Sequence, residues 1–294
     1  MLTTAGRSTR ISFRVPPFLL LTGLLLAGAW LAADAGLQHA QAQSATGPAA
    51  LLTGEAPAAS SADPSAAPLH KLGVSAQDHR VRLEHAGWPW TSLGRVNRAI
   101  GGYCTGALVA PHWVLTAAHC LYNFHDRRWA IPSDIHFVAG YDRGSYDGHG
   151  IGKRFILPQG YRGDAADRTV EMAHDWALIE LDRDLAAKPI PIARQEISLA
   201  TGPITVTVAG YSGDFQEVLT AHRDCQIVAE AQPKLWLHDC DATFGASGSP
   251  LLRITGTKAE IVAIQSGVVT LKDKREISTG VPLSSFLPAL PSLD

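Results

Sequence analysis

The chain has 294 residues, with 25 Lys+Arg against 27 Asp+Glu for a formal charge of −2, 46% hydrophobic residues and four cysteines. So neutral a chain lacks the basic excess of a dedicated nucleic-acid binder. Its length exceeds one small domain and fits one large β or α/β domain with added segments.

Charge is unevenly spread, because residues 15–70 contain Asp34, Glu55 and Asp63 and no Lys or Arg. Arg7, Arg10 and Arg14 precede an uncharged run over 15–33, and Ala40-Gln41-Ala42 follows as a small-x-small site. That order predicts a secretory signal peptide over 1–42, with Ala33-Asp34-Ala35 as a second cleavage point. The alternative is an uncleaved anchor, which Pro16-Pro17 and the Gly/Ala content disfavour. Residues 43–68 hold 19 Ala, Pro, Ser or Gly out of 26. Such a stretch buries too little apolar surface to offset its ordering entropy, so 43–75 reads as a disordered linker or propeptide. Residues 76–294 remain as one domain, expected to be secreted or periplasmic, monomeric and without stable membrane association after signal cleavage. Export permits the four cysteines to form two bridges.

The body reads as all-β. Short apolar runs rich in Val, Ile and Thr recur between Gly, Pro and Asp, at 106–109, 113–116, 135–139, 176–181, 204–210, 226–230, 261–265 and 280–283. They predict buried or half-buried strands of a barrel or sandwich. The tail 284–290 has the start of a short helix, limited by Pro288.

Three segments carry chemistry. Residues 104–120 end in Leu115-Thr-Ala-Ala-His119-Cys120, residues 175–181 read Asp-Trp-Ala-Leu-Ile-Glu-Leu, and residues 245–250 read Gly-Ala-Ser-Gly-Ser-Pro. They place a His, an Asp and a Ser in that chain order, each beside an apolar run. A serine hydroxyl needs a base in contact to become a nucleophile. An imidazole supplies that base near neutral pH, and a carboxylate on its far nitrogen fixes the tautomer. Glycines beside the serine let backbone N–H groups approach a developing oxyanion.

These motifs resemble the chymotrypsin/trypsin-like serine peptidases over roughly residues 78–290. The histidine motif matches without departure, the aspartate motif matches well, and the serine motif departs at Ala246 and Ser249. Trp88-Pro89-Trp90 and Gly280-Val281 resemble first- and last-strand landmarks. The Gly-x-Ser-Gly-Ser-Pro form is similar to the bacterial glutamyl-endopeptidase-like branch. The resemblance implies two six-stranded antiparallel β-barrels packed face to face and hydrolysis of a polypeptide substrate through an acyl-enzyme. It implies His119 as general base, Asp175 as its orienting partner, Ser247 as nucleophile, and the N–H groups of Gly245 and Ser247 as the oxyanion hole. It also implies bridges Cys104–Cys120 and Cys225–Cys240.

Ala246 offers no charge to a newly freed amino terminus, and no Ile-Val-Gly-Gly start is present. Activation by terminus insertion is therefore not expected, and activity is expected to be independent of the first residue anywhere from 43 to 75. For the substrate pocket the resemblance points to Asp241, Ser266, Gly267 and Gly280. Asp241 occupies the offset at which trypsin-like members bind Arg or Lys, so the resemblance implies cleavage after Arg or Lys first and after small or apolar residues second, although the glutamyl branch also carries Asp there without selecting a base. Gln265 stands where that branch usually holds a His.

Other chemistries fit poorly. No His-Glu-x-x-His or paired Cys-x-x-Cys suggests a metal, and no glycine-rich phosphate loop suggests a nucleotide, so neither metal nor cofactor is expected. A lipase elbow would place the His last in chain order. The alternative from another class is a catalytically silent binding or adhesion protein on the same fold.

Overall fold

The computed structural model describes residues 71–84, 87–159, 161–163, 168–195 and 197–290. The expected signal peptide and residues 43–70 of the expected linker lie outside them. In chain order the strands are β1 Val81–Arg82, β2 Leu93–Arg98, β3 Tyr103–Ala110, β4 Trp113–Thr116, β5 Tyr122–Asn123, β6 Arg128–Trp129, β7 Ile135–Ala139, β8 Gly148–Ile156 and β9 Ala177–Leu181. They continue with β10 Ile204–Gly210, β11 Thr220–Gln232, β12 Leu235–His238, β13 Pro250–Thr255, β14 Lys258–Thr270 and β15 Glu276–Pro282. Helix α1, Arg168–Met172, lies between β8 and β9.

Six strands close the first barrel in the order β2-β3-β4-β9-β8-β7, all pairs antiparallel. The second runs β11-β10-β13-β14-β15-β12 and closes through β11–β12, with β1 added at the edge of β11. The expected pair of six-stranded barrels is therefore the architecture. Closure satisfies the backbone groups that an open edge would leave unpaired.

The period-2 geometry of strands explains the uninterrupted apolar runs. On β3 and β4, Leu108 and Val114 point into the first barrel, while Ala107, Val109, Trp113 and Leu115 join the larger core that continues into the second barrel. β9 behaves alike, with Ile179 inward and Leu178 facing the other barrel. Strands covered on both faces have no position that favours a polar residue, so alternation disappears from their sequence. Val208, Leu251 and Val281 meet this shared layer from the second barrel.

Both cysteine pairs are bridged, Cys104–Cys120 with Cα atoms 6.0 Å apart and Cys225–Cys240 at 5.0 Å. Each closes a loop worth about 3 kcal/mol in the chain-entropy account. The tail forms two short 3₁₀ turns, Leu283–Ser285 and Leu287–Ala289, and seats Phe286 in the core against Trp176. Among the described residues no helix is long and apolar enough to cross a membrane.

Residues 71–75 belong to the folded body and not to a linker. Val74 is buried, Gly73 N–H donates to Glu276 Oε2 at 3.2 Å, and the Gly73 carbonyl accepts from Ala242 N–H at 2.9 Å.

Candidate active site

His119 sits on a 3₁₀ turn, Ala118–Leu121, reached directly from β4 and tied to β3 by Cys104–Cys120. Asp175 lies between α1 and β9 and is 3% exposed. Its carboxylate accepts three hydrogen bonds: His119 N–H on Oδ1 at 2.8 Å, and His119 Nδ1 at 2.7 Å and the Ser266 hydroxyl at 2.6 Å on Oδ2. Charge-assisted bonds of this length fix both the ring orientation and the tautomer of His119, leaving Nε2 to accept a proton.

Ser247 lies in the turn between β12 and β13. Its carbonyl accepts from Thr105 N–H at 2.9 Å, which ties the turn to the first barrel. Gly248 N–H donates to the Gln265 carbonyl at 2.8 Å and Gln265 N–H to the Ser249 carbonyl at 2.8 Å, which tie it to β14. Both glycines of the turn are required. Gly245 and Gly248 have φ of +90° and +80°, and a Cβ on Gly248 would stand 2.3 Å from the Thr105 carbonyl oxygen. Thr105 organises this junction, since its hydroxyl donates to the Gly245 carbonyl at 3.0 Å and accepts from Tyr211 N–H at 2.9 Å. Nothing in the histidine motif singles Thr105 out, and the sequence reading missed it.

Along residues 245–249 the N–H groups of Ala246, Gly248 and Ser249 donate to backbone carbonyls. Among the described residues no acceptor takes those of Gly245 and Ser247, the two expected to receive an oxyanion. Nor does any hydrogen bond join the Ser247 hydroxyl to His119. Catalytic contacts of this kind are commonly loose before substrate binds.

His119, Asp175 and Ser247 line one cavity of about 410 Å³. Ala242, Thr243 and Phe244 form one wall and Ser266, Gly267 and Val268 another. Gln265 also lines it, as do Glu171 and Met172 from α1 and Leu72 from the N-terminal segment. Phe244 is 72% exposed at the mouth. Both Gly267 and Ser266 line this cavity, and the Ser266 hydroxyl also donates to Asp175.

Two expected pocket residues lie elsewhere. Gly280 is on β15, paired with Trp236 and Gln265, and a Cβ there would meet the Ile264 carbonyl oxygen, His238 and Leu251 in ordinary contact at 3.4–3.5 Å. Asp241 turns away from the cavity. Its Oδ1 accepts Ser75 N–H at 2.6 Å, its Oδ2 accepts His79 N–H at 2.7 Å, and the His79 ring lies 3.1 Å away. Burial alone would raise the Asp241 carboxyl, but these bonds outweigh it and hold the group below its ordinary value. The local reason is the abundance of N–H donors on residues 75–79, a segment that composition placed in or beside a linker.

His238, fully buried behind Gly280, is pushed down to about 4 by desolvation and is neutral at pH 7. Three groups of side chains bring potential metal-ligating atoms together among the described residues. Two use disulfide-bonded cysteines, whose sulfurs are not thiolates. In the third, His79, His222 and Asp241, the His222 Nδ1 lone pair accepts Asp241 N–H at 2.8 Å.

Two closed barrels, a histidine held by a buried carboxylate, and a serine in a glycine turn on the same cavity together define the scaffold of a trypsin-like serine peptidase. The chain belongs to the trypsin family, whose description, Trypsin, matches residues 80–290. It is similar to the glutamyl endopeptidase of Bacillus licheniformis, 24% identical over 197 residues, covering 66% of this chain and 59% of that protein. It is also similar to serine protease 23 of Bos taurus, 31% identical over 165 residues, covering 50% of this chain and 42% of that one. The chain thus spans less than two thirds of the length of these relatives. A solved structure of Glu endopeptidase in complex with MPD shares the fold, with a TM-score of 0.57 and 22% identity, covering 72% of this chain and 96% of that one.

Proposed function

We propose that the chain is an exported serine endopeptidase that cleaves peptide bonds through His119, Asp175 and Ser247. The observation that carries this reading is the Asp175 carboxylate, which is buried, accepts three hydrogen bonds and holds His119 on the cavity that Ser247 lines. In the first half-reaction the Ser247 oxygen bonds to the scissile carbonyl carbon while its proton passes to His119 Nε2. The developing oxyanion takes the free N–H groups of Gly245 and Ser247. The C–N bond then breaks, and the amine leaves with the proton from His119. Water, deprotonated by the same imidazole, releases the acid and regenerates Ser247. The silent-binder alternative is disfavoured because all three residues are present and bear on one cavity. Export is supported by the two disulfides and by the signal-peptide pattern at 1–42, which lies outside the described residues.

For the residue preceding the cleaved bond, the cavity favours an uncharged side chain. Asp241 faces the N-terminal segment, and the cavity's acids are engaged: Asp175 with His119, and Glu171 Oε1 with Arg162 N–H at 2.9 Å. Among the described residues no Lys or Arg lines the cavity to meet a glutamyl side chain. Peptides differing only in Arg, Glu, Phe or Ala before the cleaved bond test this. Faster hydrolysis after Phe or Ala is expected, and preference for Arg or Glu contradicts the pocket assignment. A Ser247→Ala control that retains hydrolysis contradicts the mechanism.

A further inference from the structure

Residues 71–80 run beside Asp241 and Ala242 of the cavity wall and are fastened at successive points. Lys71 Nζ meets Asp214 at 2.9 Å, the Gly73 carbonyl accepts Ala242 N–H, and Ser75 and His79 donate their N–H groups to Asp241. Arg80 closes the series on Asp78 and Asp214, both at 2.7 Å. Approach is closest at Gly73, with φ of +77°, where a Cβ would stand 2.2 Å from the Ala242 carbonyl oxygen and 2.6 Å from Val268 Cγ2. Gly73 therefore touches both walls of the cavity, and its neighbour Leu72 lines the cavity itself. The Asp241 side chain is 2% exposed, so a carboxylate shut off from water takes its donors from this segment instead of from a substrate.

We propose that Asp241 is a positioning residue that buckles the 71–79 strap onto the pocket wall, so that Leu72 completes the substrate cavity. The inference rests on the peptidase reading above. The contacts are made by internal backbone and side chains and by no free amino terminus. Cleavage of the chain upstream of Lys71 thus leaves the cavity whole, and cleavage within 72–79 opens it.

The test uses the full chain with Asp241→Asn, which keeps the shape but removes the charge and one acceptor, and with Leu72→Ala, at a position 40% exposed. Each is measured for peptide KM and kcat, for the rate of Ser247 labelling by a small fluorophosphonate, and for hydrogen exchange of the Ser75 and His79 amides. For both variants KM is expected to rise about tenfold with kcat little changed, because ground-state contacts are lost. Labelling should stay within about twofold, because the probe needs only the triad. Exchange at Ser75 and His79 should accelerate in Asp241→Asn alone. Unchanged KM in both variants overturns the proposal, as does loss confined to peptides with Arg or Lys before the cleaved bond, which would make Asp241 a direct substrate ligand. Absence of labelling in the wild type rejects the peptidase reading and not the strap, whose exchange pattern is read independently.

Discussion

Replacing Asp175 by Asn perturbs the site at one atom. Oδ1 can keep its bond from His119 N–H at 2.8 Å, and the Ser266 hydroxyl can turn to accept from the new amide, so the fold loses little, within about 1 kcal/mol. The face toward His119 Nδ1, now 2.7 Å from Oδ2, becomes a donor. The ring must then present its Nδ1 lone pair to Asn and carry its proton on Nε2, where it cannot accept one from Ser247. Asp175 is 3% exposed, so water has little access to repair the mismatch. A histidine in the wrong tautomer lowers turnover by about 10⁴-fold, or about 5.4 kcal/mol of transition-state stabilisation. The assay is kcat and KM on the best peptide substrate, with urea unfolding of the same preparation. A fall in kcat near that size with KM and midpoint nearly unchanged is expected. A loss under about tenfold in a folded variant would refute the assignment of Asp175 as the group that fixes His119.

Gly248→Ala forces a left-handed backbone on alanine and drives its Cβ to 2.3 Å from both the Thr105 carbonyl oxygen and Thr116 Oγ1. Destabilisation of about 2–5 kcal/mol is expected in urea unfolding, and an unchanged midpoint would contradict the packing of this turn. His238 is held in the fold at about 4, below the ordinary histidine value, so between about pH 6.5 and 4 the unfolded chain binds the extra proton. Its contribution is fully present above that window and is lost on acidification through it, by up to about 3 kcal/mol, and His238→Leu should flatten this part of the stability–pH curve. Identical curves for variant and wild type would show that His238 does not set the slope.

The barrels were legible where strands are covered on both faces, as at 106–109 and 113–115, because such strands read as unbroken apolar runs. β8 was not, since Gly148, Gly150 and Gly152 interrupt it. Gly150 and Gly152 have a packing reason that no local pattern carries, for a Cβ at Gly150 would stand 2.9 Å from Leu181 Cδ1 and one at Gly152 2.4 Å from the Pro132 carbonyl oxygen. That His119, Asp175 and Ser247 come together on one cavity was legible because each lies in a short motif whose neighbours are fixed by local geometry. Asp241 was misplaced because its offset from Ser247 constrains the backbone but not which way the carboxylate faces. That direction depends on Ser75 and His79, more than 160 residues away in sequence. The small-residue composition preceding them gave no hint that Leu72 reaches the cavity.

The proposed mechanism makes Ser247 a nucleophile activated by His119 and Asp175. Incubating the full chain with a fluorophosphonate and mapping the adduct by peptide mass spectrometry tests it directly. One stoichiometric adduct on Ser247 is expected, absent from Ser247→Ala and formed far more slowly in Asp175→Asn. A folded wild-type protein that takes no label, or takes it at another serine, would contradict it.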